Sequence, residues 1–468
     1  MSSLLLACMT ILGAQTDSGP VLSPVDLQED FKILRTALEE GHPGIYRYTA
    51  KKEMDDAFAK SFRELDHPTS TLEIFRTVSL ILAKVKCGHT AAGVDNPLLI
   101  SNQPLLPIQP RMVGGKLFVW NVYSSEYPDL RGAEILSING MRAKEISKLV
   151  LASRSRDGDS MSRPNFDVSR STRFAKAVRI FTPLRAPFRV NLLVQGKRRD
   201  IELPGMSAGD QEIADQRLTG KTPQPSSPIS LEFKQDGKVA VLAVKSFVDN
   251  KGPAFFKSEF VRLFTEIEKQ KCSSLIIDVR GNGGGFDDSG KDLLAHLVGH
   301  RFEYYDDLTL NRYNFSFEKY LAEPLLLKET GDIVRPDGSI FKGGHPNTGT
   351  QNPQQPQFKG RIIALMDGGS FSTTGEFLSV LHGLHIAKFV GEESAAGVTG
   401  NNSGDTAVLI LPHSKIKVRI PLVKYVVHSG PVKFRNRGVL PDYRVDPTIQ
   451  DLMDGQDPAM LKALSLAQ

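Results

Sequence analysis

Cysteine is scarce in this chain, with three in 468 residues. A disulfide-stapled scaffold, which needs cysteines at high density, is excluded. Cys8, Cys87 and Cys272 also lack the paired spacing of a zinc site, so neither a metal nor another cofactor is expected. Removal of the N-terminal segment would leave Cys87 and Cys272, either as two isolated buried thiols or as one pair. Charge of one sign is missing too. The net charge is +5, and the basic residues are interleaved with acids rather than gathered in a stripe, so nucleic acid is not an expected partner. Long apolar runs are absent beyond Leu4 to Ala14, which falls short of the ~20 residues that span a bilayer. There is no internal repeat and no long low-complexity tract. What remains, 40% hydrophobic and 24% charged, is the composition of a globular protein, at a length that suits two to four domains.

The apolar run ends in Leu12-Gly13-Ala14, where a signal peptidase could cut. Export is therefore expected, to the periplasm, the cell envelope or the medium, with residues 1–22 as leader. The stretch Leu5-Leu6-Ala7-Cys8 also fits a lipoprotein cleavage site that would acylate Cys8, and a buried N-terminal helix is the structural alternative.

Downstream, the pattern changes several times. Residues 23–95 read as helical: Leu27, Phe31, Leu34 and Leu38 recur at helical spacing, and Thr69-Ser70-Thr71 offers cap chemistry for a helix from Leu72 to Val85. Gly88 suits that helix's end, which puts His89 on the following loop. Residues 104–205 read as β-rich, with Ser153 to Ser171 as an inserted polar loop. A linker is expected over 206–228, rich in Ser, Pro, Gln and Gly. From 229 to 447 strands and helices alternate, as in an α/β domain, with Leu275 to Val279 and Arg361 to Met366 as buried parallel strands. Gly343 to Gln357 reads as a mobile polar loop, and 448–468 as a C-terminal tail.

Three short segments could carry chemistry, and each also has a plain structural use. Arg280-Gly281-Asn282-Gly283-Gly284-Gly285 follows a buried strand and lets a ligand approach backbone N–H groups, or is merely a tight turn. It lacks the spacing of a phosphate-binding or dinucleotide loop. Ser370-Phe371-Ser372-Thr373-Thr374 lies between a buried strand and a helix, where a serine can expose its hydroxyl or simply cap the helix. Gly88-His89-Thr90 offers one histidine among ten. His382 and His385, at i and i+3, lack an acidic third ligand for a metal.

Their order along the chain adds a further signal. The segments EEGHPGIYRYT, CGHT, GAEILSING, LIIDVRGNGGG, GSFSTTGEF, VGEESAAG and NRGVLPDYRV resemble the landmarks of the tail-specific serine peptidases. That family takes in the C-terminal-processing proteases, the tricorn core protease and the repeats of interphotoreceptor retinoid-binding protein. The resemblance runs from about Leu27 to Val445. It implies an α/β multidomain fold: an N-terminal helical region, a PDZ-like β-barrel domain and a Clp-protease/crotonase-like αβ spiral core. It also implies Ser372 as nucleophile. One branch of the family uses a lysine as base, but the stretch Gly391 to Val398 has a glycine where that lysine is expected. The other branch uses a histidine of the kind that His89 matches. Gly284 and Thr373 would then supply the oxyanion donors. The orienting glutamate of that branch is replaced here by Arg435, and Glu376 is the candidate substitute. The activity implied is that of a serine-type endopeptidase, acting on a peptide or protein that the PDZ-like domain takes by its C-terminus or as an added strand. A non-catalytic binder of peptides or apolar ligands, and an esterase or amidase, are the alternatives. Oligomeric state is not legible.

Overall fold

The computed structural model describes residues 19–93, 103–170, 172–219 and 227–468. The N-terminal run with Cys8 lies outside them. Three sheets with separate apolar cores organise the chain.

The first sheet is the one that positions the motifs. Its strands lie in the order Ile229–Lys234, Val239–Val244, Ser274–Asp278, Arg361–Met366, Ala387–Gly391 and Tyr443–Arg444. The first pair is antiparallel and all later pairs are parallel. Alternate residues serve opposite faces, as the two-residue strand period requires. Leu275, Ile277, Ala364 and Met366 pack in the core formed with helices Pro253–Gln270, Asp287–Ala295 and Thr373–Gly383. Ile276, Ile363 and Leu365 pack against Ala459 and Ala463 of helix Pro458–Leu466. Burial on both faces is why these strands read as unbroken apolar runs. Because Ser274–Asp278 and Arg361–Met366 are parallel neighbours, the glycine run and the Ser372 turn leave the same edge of the sheet side by side.

A second, antiparallel sheet joins Tyr305–Leu310, Lys417–Val427 and Asn402–Ile410. Helices Pro24–Gly41, Lys51–Glu64 and Thr71–Val85 share a core with it, through Leu27, Phe31 and Leu34 against Val418, Ile420 and Leu422. Ser23 caps the first of these helices, and a reciprocal Ser70–Glu73 box caps the third, where Thr69-Ser70-Thr71 offers cap chemistry. The third sheet is antiparallel, in the order Ile108–Val113, Lys116–Val122, Glu134–Ile138, Phe188–Val194, Lys197–Leu203, with its own core.

Several boundaries differ from the sequence expectation. Val21–Leu22, assigned to the leader, pair with Thr69–Ser70. The polar stretch Ser153 to Ser171 contains helix Ser162–Val168, and Arg173–Phe181 is helical beyond it. The expected linker contains helix Ala208–Thr219. Ser207 caps that helix, and polar anchors hold it: Gln211 donates to the Leu106 carbonyl, and Asp215 accepts from the Tyr123 hydroxyl. Such anchors leave no apolar periodicity to read. The expected tail is core, since Ala459, Ala463 and Ala467 are buried against the parallel sheet. The loop from Gly343 to Gln357 is pinned rather than loose: Thr350–Gln351 pair with Phe302–Glu303, and the Gln354 N–H reaches the Ala295 carbonyl. Cys87 and Cys272 are both free thiols, as two isolated cysteines rather than a pair. Among the described residues, no helix is long and apolar enough to cross a membrane.

Candidate active site

The Ser372 turn is built by hydrogen bonds to the neighbouring glycine loop. Asp367 accepts from the N–H groups of Gly281 and Gly369, each at 2.8 Å. Ser370 Oγ donates to the Val279 carbonyl, and the Phe371 N–H donates to the Asn282 carbonyl. So held, the chain passes through Ser372 at φ 56°, ψ −131° before entering the helix Thr373–Gly383. A left-handed φ at a residue with a Cβ costs about 1–2 kcal/mol, and such strain persists where the surroundings enforce it. Ser372 stands at the helix cap but its side chain makes no capping bond. Its Oγ lies instead 3.1 Å from Nε2 of His89, 283 residues away in sequence.

His89 arrives from the other side. The helix Thr71–Val85 ends on Lys86, which takes the left-handed conformation at φ 57°, so Gly88 is not the terminator that the sequence suggested. Gly88 is needed for space: a Cβ there would lie 2.7 Å from the Phe371 ring. The Phe371 ring stacks on the His89 imidazole, centroids 4.5 Å apart. Beyond the histidine, Ala91–Gly93 pair with Lys417–Arg419 and fix the loop to the second sheet.

Burial pushes the pKa of His89 down to about 3, aided by the charges of Arg419 and Arg163, so the imidazole is neutral and able to accept a proton. His42 is likewise held at about 3, by burial foremost. Its Nδ1 accepts from the Gly44 N–H, so its Nε2 donates to Thr90 Oγ. Both histidines therefore bind fewer protons folded than unfolded between about pH 3 and 6.5. The stability they contribute is complete above the unfolded pKa and is lost as pH falls towards the folded one. With two groups the slope approaches about 2.7 kcal/mol per pH unit. Urea midpoints should fall steadily from pH 7 to 4.5. A midpoint constant over that range would contradict this account.

The other ring nitrogen is isolated: His89 Nδ1 is buried and has no hydrogen-bond partner among the described residues. Near the ring sits Asp157, 1% exposed, which accepts from the N–H groups of Gly88 at 2.7 Å and Gly397 at 3.3 Å. A carboxylate oxygen of Asp157, the Cys87 sulfur and a ring nitrogen of His89 lie within 4.8 Å of one another. Those donor types could hold a metal, but here the Cys87 thiol is turned to the Asn402 carbonyl at 3.6 Å and both Asp157 oxygens accept from backbone N–H groups. His382 and His385 belong to no ligand-spaced group among the described residues.

Glu376 is not brought to His89. It is buried, and accepts from the Tyr305 hydroxyl at 2.7 Å and from Asn401 Nδ2 at 2.8 Å. Burial and the nearby Asp287 push its pKa up to about 8. Arg435 is exposed. Of the stretch that carries a lysine in one branch of the family, Gly397 leaves no room for one, since a Cβ would lie 2.2 Å from the Tyr48 hydroxyl.

Of the two expected oxyanion donors, Thr373 opens the helix, where its N–H has no intrahelical acceptor. Gly284 differs from expectation, because its N–H is given to Asn282 Oδ1 at 2.9 Å. Its contribution is room. At φ 98° it passes so close to the Ser372 turn that a Cβ would lie 2.7 Å from Ser372 Cβ. Gly284→Ala should therefore displace the serine and lower kcat by ~10²-fold, as a shift near 1 Å does in such sites. Hydrolysis rates beside a melting curve check it, and a fully active, equally stable variant would refute it.

Asp157, Arg163 and Phe371 are the site neighbours that sequence reasoning missed. Arg163 lies over the Phe371 ring at 4.5 Å, and it and Asp157 both come from the stretch read as an inserted loop.

Comparison with known proteins bears on this geometry. Residues 238–445 match the model of peptidase family S41. Carboxy-terminal processing protease CtpB of Bacillus subtilis (strain 168) is 25% identical over 193 residues, which is 40% of this chain and 31% of that protein. The chain thus aligns with under a third of that relative's length. Mature CPAF superposes with a TM-score of 0.62 at 16% identity, covering 92% of this chain and 94% of the other. CPAF complexed with lactacystin gives 0.64 at 14% identity, covering 94% and 97%. At such identity these structures speak for the fold, a mixed α/β arrangement of several sheets. The resemblance drawn from the seven motifs is borne out: residues 238–445, which hold the glycine run and Ser372, match peptidase family S41.

Proposed function

We propose that the chain is a serine-type peptidase that cleaves peptide bonds through an acyl-enzyme on Ser372, with His89 as general base. The observation that carries this is the 3.1 Å approach of His89 Nε2 to Ser372 Oγ, with the serine in a conformation that costs energy and caps nothing. Nε2 must be the unprotonated nitrogen, so the ring's proton sits on Nδ1. The hydroxyl proton passes to Nε2 as Oγ attacks the carbonyl carbon, and the Thr373 N–H receives charge developing on the oxygen. The imidazolium then protonates the departing amine, and water, deprotonated by the same ring, releases the acyl group. Asp157, with a carboxylate oxygen within 4.8 Å of a ring nitrogen, is the acid that balances the charge of this ring, in place of the expected glutamate.

The antiparallel unit of residues 104–205 is proposed as the PDZ-like module, taking an extended peptide by strand addition. Export past the cytoplasmic membrane is part of the same proposal. The test is covalent: a fluorophosphonate should label the purified chain at Ser372, located by mass spectrometry, and label nothing in Ser372→Ala. An unlabelled, correctly folded chain would leave the scaffold as a binding protein.

A further inference from the structure

Next to the base lies a cavity of about 280 Å³ that the chemistry above does not use. It opens between the helix Thr71–Val85, the loop after His89 and the helices Ser162–Val168 and Arg173–Phe181. Gly88 forms part of its wall, so its contents would lie one residue from His89. Leu82 and Ile180 give it an apolar side. Its charged lining is Arg154, Arg163, Arg173 and Lys176 against the single carboxylate of Asp167.

That carboxylate is fully used, since Asp167 meets Arg163 at 3.0 Å and Arg173 at 2.9 Å. Lys176 has a long contact of 3.5 Å with Glu212 at the rim. Arg154 makes no ion pair among the described residues, although the Asp167 charge acts on it from a distance. One of its Nη atoms donates to the Arg173 carbonyl, while its Nε is buried and bonded to nothing. A guanidinium presents a planar fork suited to two carboxylate oxygens, and removing it from water without a counter-charge is costly. Burial foremost, with the Arg173 charge, pulls the Arg154 pKa down from the ordinary arginine value, and the Asp167 charge offsets this only in part.

We infer that this cavity is a binding subsite for a carboxylate of the substrate peptide, received by Arg154 and Lys176 beside the base. The inference rests on the peptidase assignment. The carboxylate could be an acidic side chain near the scissile bond or the free C-terminus, and these sources call for separate arms. Arg163 lies over Phe371 against the imidazole, and its charge is one of those that disfavour the imidazolium. An anion in the cavity would offset that charge, so occupancy would favour proton transfer to His89.

Peptide pairs differing only by Glu against Gln around the cleaved bond, and by C-terminal acid against amide, separate the sources. A tenfold or greater preference in kcat/KM for the charged member of one pair is expected. It should shrink to threefold or less in Arg154→Gln and in Lys176→Gln. Lys176 is at the cavity's rim, so its variant remains informative should Arg154→Gln fail to fold. Binding to the uncleaving Ser372→Ala chain keeps the two assignments apart: calorimetry should detect glutarate, not glutaramide, and lose the signal in Arg154→Gln/Ser372→Ala. Peptides cleaved without charge preference, or a preference that both single variants retain, would overturn the subsite. Glutarate binding in a chain that cleaves nothing would keep the anion site and remove the peptidase.

Discussion

The Ser372→Ala chain should cleave peptides ~10⁴–10⁶-fold more slowly than the parent in kcat, with KM little changed, because removal of a nucleophile spares ground-state contacts. His89→Ala should lose nearly as much. The double variant should lose no more than the worse single one, since nucleophile and base act as a unit and their effects do not add. Independent contributions, with the double variant slower by the product of the two, would refute a shared proton transfer. The serine's backbone supplies a second, structural readout. At φ 56° alanine inherits the strain that serine bears, while glycine does not. Ser372→Gly should therefore be as inactive as Ser372→Ala yet more stable by about 1–2 kcal/mol, read from urea melts. Equal stability of the two would mean that the turn is relaxed. Stability withheld at the nucleophile is what a turn selected for hydroxyl placement would show.

Much of this site could be read before any fold was known, for definite reasons. Ser372 and the glycine run are legible because each follows a strand buried on both faces, and continuous apolar runs such as Leu275 to Val279 stand out. His89 is legible from its short motif after a strongly periodic helix. Asp157 was not. It sits in a polar stretch with Asp159 two residues on, and nothing in Asp-Gly-Asp distinguishes the carboxylate that packs against Gly88 from its neighbour, which pairs with Lys86 at 2.7 Å. Only tertiary placement separates them. Gly284 shows a different limit, since a glycine that supplies an amide and one that supplies space look alike in sequence. The helix Ala208–Thr219 and the C-terminal helix Pro458–Leu466 were missed because polar anchors and alanines do the packing, and neither produces the large apolar stripe by which helices are recognised.

Asp157→Asn should lower kcat by at least ~10²-fold while leaving KM within a few-fold of the parent. When Ser372 gives its proton to Nε2, a positive ring forms in a place where burial, Arg419 and Arg163 all resist it. A carboxylate oxygen of Asp157 lies within 4.8 Å of a ring nitrogen, and at about 5 Å with an effective dielectric of about 20 two opposite charges attract by about 3 kcal/mol. That is ~10²-fold in rate if the attraction exists only once the ring is charged. Closure to a direct Nδ1–H bond in the substrate complex would raise the loss towards ~10⁴-fold, the size seen when a triad acid becomes an amide. Burial pushes the Asp157 pKa up, but the N–H groups of Gly88 and Gly397 and the charges of Arg47 and Arg163 oppose it. Asparagine keeps a carbonyl oxygen for the Gly88 N–H, so the loop should hold its place. A purely structural role would show as a lower melting temperature with kcat per folded molecule preserved. The electrostatic role shows in the pH profile: with the negative charge gone the ring is harder to protonate, so the acid limb moves to lower pH. Asp157→Glu, which restores the charge at a different reach, should recover part of the rate. A fully folded Asp157→Asn chain with kcat within threefold of the parent would strike Asp157 from the mechanism and leave the imidazolium balanced by some other group.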